Sequence, residues 1–170
     1  MQKKLKENRG VTLLALVITI VVMIIIAGIA VYTGTDTIKK AKLEELKTNM
    51  LLIEAKAKGL VEEVNFKIGL TKPEDEGYQT KKDSAEQEVY VNGAKLKKAT
   101  NISAPSSIPV SECYEVTQDA MNAWGLDGLE LEEGEYYLIK FDDTNATVEV
   151  YNTLGYDGKY SLTEIDSIEE

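Results

Sequence analysis

Two groups of oxygen-bearing side chains are the residues of this chain best suited to hold a metal ion. The first is the run Asp142, Asp143, Thr144 and Asn145, and the second centres on Asp157. Carboxylate and amide oxygens are the ligands that Ca²⁺ prefers. The same residues also build ordinary turns, because their side chains bond to the nearby backbone. Two interpretations stay open: a calcium site drawn from Asp142, Asp143, Asn145 and Asp157, or plain turns with no cofactor.

Composition limits the other chemistry that the chain could perform. It has no histidine, so imidazole cannot serve as a general base. Its one cysteine, Cys113, allows no intramolecular disulfide, and we expect it to be a small buried apolar residue. The sequence contains no glycine-rich phosphate loop, no Ser/His/Asp set and no Cys/His set with metal-ligand spacing. We therefore expect a protein that is not an enzyme.

The charge is divided unevenly along the chain. Residues 99–170 carry 16 acidic residues and two lysines, which gives a net charge of −14. Direct binding to nucleic acid would need a basic stripe, so this half is not expected to bind it. The acidic residues form either a solvated surface or a face that meets a basic partner.

The N-terminal segment determines where in the cell the rest of the chain is expected. A leader with four basic residues and one acid, 1–10, precedes 25 uncharged residues, Val11–Thr35. Roughly 20 apolar residues span a bilayer as a helix, and basic residues favour the cytoplasmic side. The pattern predicts a single-pass cytoplasmic membrane protein with its C-terminus outside. Three interpretations remain: a secretory signal cut near Gly28–Ala30, a permanent anchor, or removal of the leader after Gly10.

The third interpretation matches a known pattern. Segment 6–14, in which Gly10 is followed directly by Val11 and a Thr-Leu-Leu run, resembles the leader of type IV prepilins and pseudopilins. In that family a membrane aspartyl peptidase cuts after the glycine and methylates the new amine. The resemblance implies that Gly10 is recognised for processing and that Val11 becomes the methylated N-terminus. It also implies that assembly uses the helix beginning with Thr12, Leu13, Leu14, Ala15 and Leu16.

One position departs from the family pattern. The family usually has glutamate five residues after the cut, where it neutralises the terminal amine of a neighbouring subunit, and this chain has Ala15. Some minor pilins and many pilin-like proteins of Gram-positive bacteria are similar in this respect. The resemblance therefore implies a Gram-positive type.

Helical periodicity continues beyond the uncharged run. Apolar residues recur at intervals of three and four, and no proline occurs before Pro73, so the spacing predicts one helix from about Val11 to Val64. A stripe of this kind packs on a sheet or, as an alternative, pairs with another helix in a coiled coil. The stripe comprises Leu43, Leu46, Met50, Ile53, Ala57, Leu60 and Val64.

The remainder of the chain shows strand and turn signals. Asn92-Gly93 between Glu88–Val91 and Ala94–Leu96 predicts a hairpin. Residues 135–141 and 147–151 read as two further strands. Between these regions, Thr117 can cap a short helix, Gln118 to Trp124, that Gly125 ends.

These signals predict an α+β fold, with a long N-terminal helix packed on a C-terminal antiparallel sheet domain and a transmembrane first half. The layout is similar to that of pilins. The expected divisions are a leader at 1–10, a transmembrane and assembly helix at 11–35, an amphipathic helix at 36–65, and a loop and sheet head domain at 66–170.

The resemblance implies a structural subunit, a major or minor pilin or pseudopilin, of a type IV pilus or type II secretion-like filament at the cell surface. The implied partners are other pilin subunits, a prepilin peptidase, the assembly platform and the membrane. The alternative is a membrane-anchored extracellular binding protein that does not polymerise.

Overall fold

A computed structural model describes residues 8–142 and 146–168, with side chains of helix α1 described for 15–24 and from Thr37 onward. The chain divides into two compact units, Met1–Lys42 and Leu43–Glu170. Helix α1 runs from Asn8 to Ile68. It is followed by the helices α2 Tyr78–Glu86, α3 Gln118–Ala123 and α4 Leu162–Asp166 and the strands β1 Lys97–Lys98, β2 Tyr114–Glu115, β3 Tyr137–Asp142, β4 Thr147–Tyr156 and β5 Lys159–Ser161.

The uncharged run lies in the first unit, and its predicted role as a membrane span is corrected by the structure. Among the described residues, no helix has the length and apolar character needed to cross a membrane. The predictions of a transmembrane helix at 11–35 and of a single-pass membrane protein with its C-terminus outside are therefore wrong.

The second half of α1 packs on a sheet, as the apolar stripe predicted. Met50, Ile53 and Ala57 have no exposed surface and share one core with Ile139 and Val150 of the sheet. The period of 3.6 residues places such side chains on one side of the helix, where a pleated sheet can cover them. The coiled-coil alternative for this stripe is therefore wrong.

The sheet has five antiparallel strands in the order β1-β2-β3-β4-β5. Strands β3 and β4 form its longest pairing, from Tyr137 opposite Asn152 to Asp142 opposite Thr147, and they correspond to the two predicted strands. The face away from α1 is covered by a smaller core around Cys113, Leu138 and Tyr151. An α+β fold with a long helix and an antiparallel sheet is thus confirmed.

The predicted hairpin at 88–96 is wrong. Residues Gln87–Gly93 continue α2 as a π-helix, and the N–H of Ala94 donates to the carbonyl of Val89 at 2.8 Å. Val89 and Tyr90 are both buried, whereas a strand would send these neighbours to opposite faces. The ring of Tyr90 stacks on Phe141 at 4.0 Å, so core packing overrides the local turn signal.

Two short helices begin at side-chain caps. Thr117 accepts a hydrogen bond from the N–H of Ala120 at 3.1 Å, which confirms the predicted cap of α3. Ser161 caps α4 in a reciprocal arrangement with Glu164, which the sequence prediction missed. Each cap satisfies helix N–H groups that lack a partner within the helix.

The turn between β4 and β5 supplies a stability prediction. Gly155 and Gly158 have φ angles of 60° and 74°, but only at Gly155 would a Cβ meet other atoms, the carbonyl oxygen of Lys159 and the ring of Tyr160. We expect Gly158→Ala to lower the free energy of unfolding by about 1 kcal/mol, from backbone strain. Gly155→Ala adds steric overlap and should lower it by about 3 kcal/mol. Urea unfolding followed by the fluorescence of Trp124 measures both, and equal losses would contradict the overlap.

Candidate functional site

The predicted processing site lies at the start of α1. The helix begins at Asn8, so the bond between Gly10 and Val11 belongs to its first turn. Thr12, Leu13 and Leu14 continue the helical backbone, while the side chains of 11–14 lie outside the described residues. The first N–H groups of a helix have no carbonyl partner within it, so this turn unwinds more readily than the interior of α1.

The candidate site is the stretch of α1 from Ala15 to Ile24, called the uncharged stretch below. All ten of its residues are exposed. Its eight large apolar side chains keep between 46% and 71% of their surface accessible, the extremes being Val22 and Met23. No side of this helical stretch is covered, although it is apolar all round. A helix of this kind is normally buried, so the stretch is suited to bind other apolar surface.

Thr19 is the one residue with a side-chain hydroxyl in the uncharged stretch. Its Oγ1 donates to the carbonyl oxygen of Leu16 at 2.8 Å. The hydroxyl already donates to a backbone carbonyl of its own helix, so it keeps this hydrogen bond when it is buried. The whole stretch can therefore enter an apolar environment.

Covering the uncharged stretch contributes a large favourable free energy to association. Full burial of a Val, Leu or Ile side chain is worth roughly 1.5–3 kcal/mol. Since these side chains are about half exposed, each retains roughly 1 kcal/mol, and the eight together retain on the order of 8 kcal/mol. That sum is comparable with the 4–15 kcal/mol that association costs in translational and rotational freedom.

The structure does not bring together Asp142 and Asp157, the two calcium candidates that lie within the described residues. Asp142 ends β3 opposite Thr147, and Asp157 follows the far end of β4. Strand β4 has ten residues, so the two turns are separated by on the order of 30 Å. Asp143 and Asn145 lie outside the described residues. Within 8–142 and 146–168, no group of three or more acidic or cysteine side chains could hold a metal ion.

A polar network around the buried side chain of Asn152 in β4 was not predicted from sequence. Asn152 is fully buried, and its Nδ2 donates to Glu135 Oε1 at 2.6 Å. Its Oδ1 accepts from the N–H groups of Leu154 and Gly155 at 3.0 and 2.8 Å. Burial raises the pKa of the neighbouring Tyr137 hydroxyl to about 12. Asparagine has no sequence signature for such a role, because only the register of β3 and β4 places it at the core.

Cys113 has no exposed surface, as predicted. Burial raises the pKa of its thiol to about 11, and its Sγ lies 3.3 Å from the carbonyl oxygen of Pro109. The thiolate is the reactive form of cysteine, so this side chain is suited to packing and not to chemistry near neutral pH.

Comparison with known proteins yields no relative. No protein family model matches the chain, and no curated protein or solved structure matches it either.

The separation of the two acidic turns predicts a specific response to Ca²⁺. Asp157→Asn should leave the heat of any Ca²⁺ binding at the Asp142 turn unchanged, because Asp157 cannot share an ion with Asp142. Asparagine tolerates the φ of 50° at this position, so the fold is preserved. Isothermal titration of wild type, Asp157→Asn and Asp142→Asn checks this. Loss of the binding heat in both single variants would show that the turns share a site.

Proposed function

We propose that the chain is a structural subunit of a type IV pilus or type II secretion-like filament, processed after Gly10 and assembled through its first helix. The observation that carries the proposal is the uncharged stretch, which is exposed on every side. The resemblance of the leader to prepilins supports the same function independently.

Other copies of α1, or the matching helices of related subunits, are the partners that suit the uncharged stretch. A helix that is apolar all round needs cover on every side, and several apolar helices around it provide that cover. A single globular partner covers one side and leaves the opposite side in water. Association into a bundle of many helices therefore uses more of this surface than a simple dimer does.

The residue at position 15, an alanine, affects which subunits can be neighbours in the proposed filament. After processing, the amine of Val11 is positively charged, and burying an unpaired charge is costly. Ala15 offers no carboxylate to the amine of a neighbouring copy. This favours a mixed filament, in which an acidic residue of a different subunit pairs with the amine of Val11.

The second unit supplies the part of the subunit that stays in water. Its sheet and short helices carry the acidic half of the chain, 99–170, with a net charge of −14. Like charges repel at short range, so these domains stay solvated beside an apolar bundle. The proposed partners are other pilin subunits, a prepilin peptidase that cuts after Gly10, and an assembly platform.

Processing is tested by mass spectrometry of the N-terminus of the mature protein. We expect wild type to start at Val11 and to carry a methyl group. Gly10→Ala should retain the leader, because the resemblance to prepilins makes Gly10 the residue that the peptidase recognises. An intact Met1 terminus in wild type would overturn the proposed processing.

Assembly is tested by placing a charge within the uncharged stretch. Ile20→Asp should weaken self-association by at least 100-fold, because an unpaired carboxylate in an apolar contact costs several kcal/mol. Ile38→Asp is the matched control, since Ile38 is an exposed isoleucine of α1 outside the stretch. Sedimentation velocity and electron microscopy of the processed chain measure the effect. Monomers at all concentrations in wild type, with or without the other subunits, would overturn the function.

A further inference from the structure

Part of strand β4 has a neighbouring strand on one side only. Strand β3 pairs with β4 from Thr147 to Asn152, whereas β5 pairs with it only at Tyr151 and Tyr156. Among the described residues, no strand therefore lies opposite Thr147–Val150 on the β5 side. An unpaired strand edge presents N–H and C=O groups with which an extended segment can pair. Residues Thr147–Val150 are called the open edge below.

The hydrogen bonds of the sheet show which backbone groups of the open edge point outward. The N–H of Thr153 donates to the carbonyl of Tyr136, just before β3, at 3.0 Å. Successive residues of a strand direct these groups to alternate sides, so those of Thr147 and Glu149 also point to β3. The N–H and C=O of Val148 therefore point away from β3, toward the position that a further strand would occupy.

An apolar groove of about 240 Å³ runs beside the open edge. Its apolar lining comes from three elements, namely Leu51 of α1, Val148 and Val150 of β4, and Leu162 of α4. Leu51 keeps 46% of its surface accessible, so it still offers apolar area to a partner. Pockets for small-molecule ligands usually measure roughly 300–1,000 Å³. The smaller groove suits one or two side chains of a bound peptide.

The charges around the open edge favour a basic segment. On the face of β4 away from α1, Glu149 lies opposite Lys140 of β3, and Lys140 pairs with Glu112 at 2.6 Å. This row of alternating charges ends at Glu149, next to the position of an added strand. Glu54 of α1 and Asp166 of α4 line the groove itself. Opposite charges on neighbouring strands attract and like charges repel, so lysine or arginine fits beside this edge.

We propose that the open edge binds an extended segment of a different protein, in which apolar residues alternate with lysine or arginine, as a further antiparallel strand. The apolar residues of the segment lie opposite Val148 and Val150 and enter the groove, and a basic residue lies opposite Glu149. A second copy of this chain is a poor occupant, because residues 99–170 carry a net charge of −14 and like charges repel. The inference does not rest on the filament function, since it makes no use of the uncharged stretch.

Binding is tested with a fluorescent peptide of the sequence Val-Lys-Val-Lys-Val, acetylated and amidated at its ends. It is titrated with the full chain, and its fluorescence anisotropy is measured. We expect saturable binding, and the matched peptide Val-Glu-Val-Glu-Val should bind at least about tenfold more weakly, because its acids would face Glu149. Binding of the lysine peptide that does not saturate at millimolar chain would overturn the proposal.

Two methylated peptides distinguish strand pairing from general attraction to an acidic protein. Residues directly opposite in an antiparallel pair share a face and exchange hydrogen bonds in alternation, so the valines of the peptide direct their N–H groups to the open edge. N-methylation of the valines should therefore abolish binding, whereas N-methylation of the lysines should preserve it. Both peptides carry the same charge. Equal affinities, or the reverse order, would overturn the proposed antiparallel strand.

Variants of the open edge test the same contact from the side of the protein. Val148→Pro removes the outward N–H without removing a hydrogen bond to β3, and it should weaken binding of the lysine peptide at least about tenfold. Glu149→Gln keeps an oxygen that accepts from the hydroxyl of Tyr151, now bonded to Glu149 Oε2 at 2.7 Å. It should weaken binding about threefold even if the proline variant does not fold. Glu76→Gln, in the exposed loop after α1, is the matched control and should bind like wild type; equal weakening in both glutamine variants would overturn the role of Glu149.

Amide hydrogen exchange of the isotope-labelled full chain, followed by NMR, locates the contact. The lysine peptide should slow exchange at the N–H of Val148 and leave the N–H of Glu76 unchanged. Protection of other segments without Val148 would overturn the site. Protection of Val148 that rises with the concentration of the chain alone would assign the edge to a second copy and overturn the proposed partner.

Discussion

The packing of one helical stripe on the inner face of the sheet is the interaction on which the structure depends. Met50, Ile53 and Ala57 are fully buried against strands that include Ile139 and Val150. No disulfide supports this core, since the chain has a single cysteine. Met50 and Ile53 each contribute roughly 1.5–3 kcal/mol, and the stripe also sets the rotation of α1 about its own axis. This rotation determines which residues of α1 face outward.

Sequence reasoning succeeds where a periodic signal is long. The stripe of α1 repeats over some 20 residues, so the helix and its packing on a sheet were predictable, as were β3 and β4 with their alternating faces. It fails at Asn92-Gly93, where burial of Val89 and Tyr90 together requires helical geometry. Strands β1 and β2 have only two residues each, too few for any period to show.

The functional residues divide in the same way. The sequence shows that the uncharged stretch is apolar, because its residue types are known. Only the structure shows that these side chains are exposed. The membrane span inferred from that run is not found among the described residues. The sequence could not predict the distance between the two acidic turns. That distance follows from the ten-residue length of β4, which places Asp142 and Asp157 at its opposite ends.

The acidic half of the chain uses several of its carboxylates inside its own fold. Glu164 accepts from the backbone N–H groups of Tyr160 and Ser161, and these bonds lower the pKa of its carboxyl. Glu112 pairs with Lys140 at 2.6 Å, and Glu135 holds the buried amide of Asn152. Glu164 lies in the first turn of α4, Glu112 ends the short 3₁₀ helix Val110–Glu112, and Glu135 lies two residues before β3. At the first and last of these places the carboxylate accepts from N–H groups that need a partner. The excess of acids in this half therefore follows in part from the fold itself.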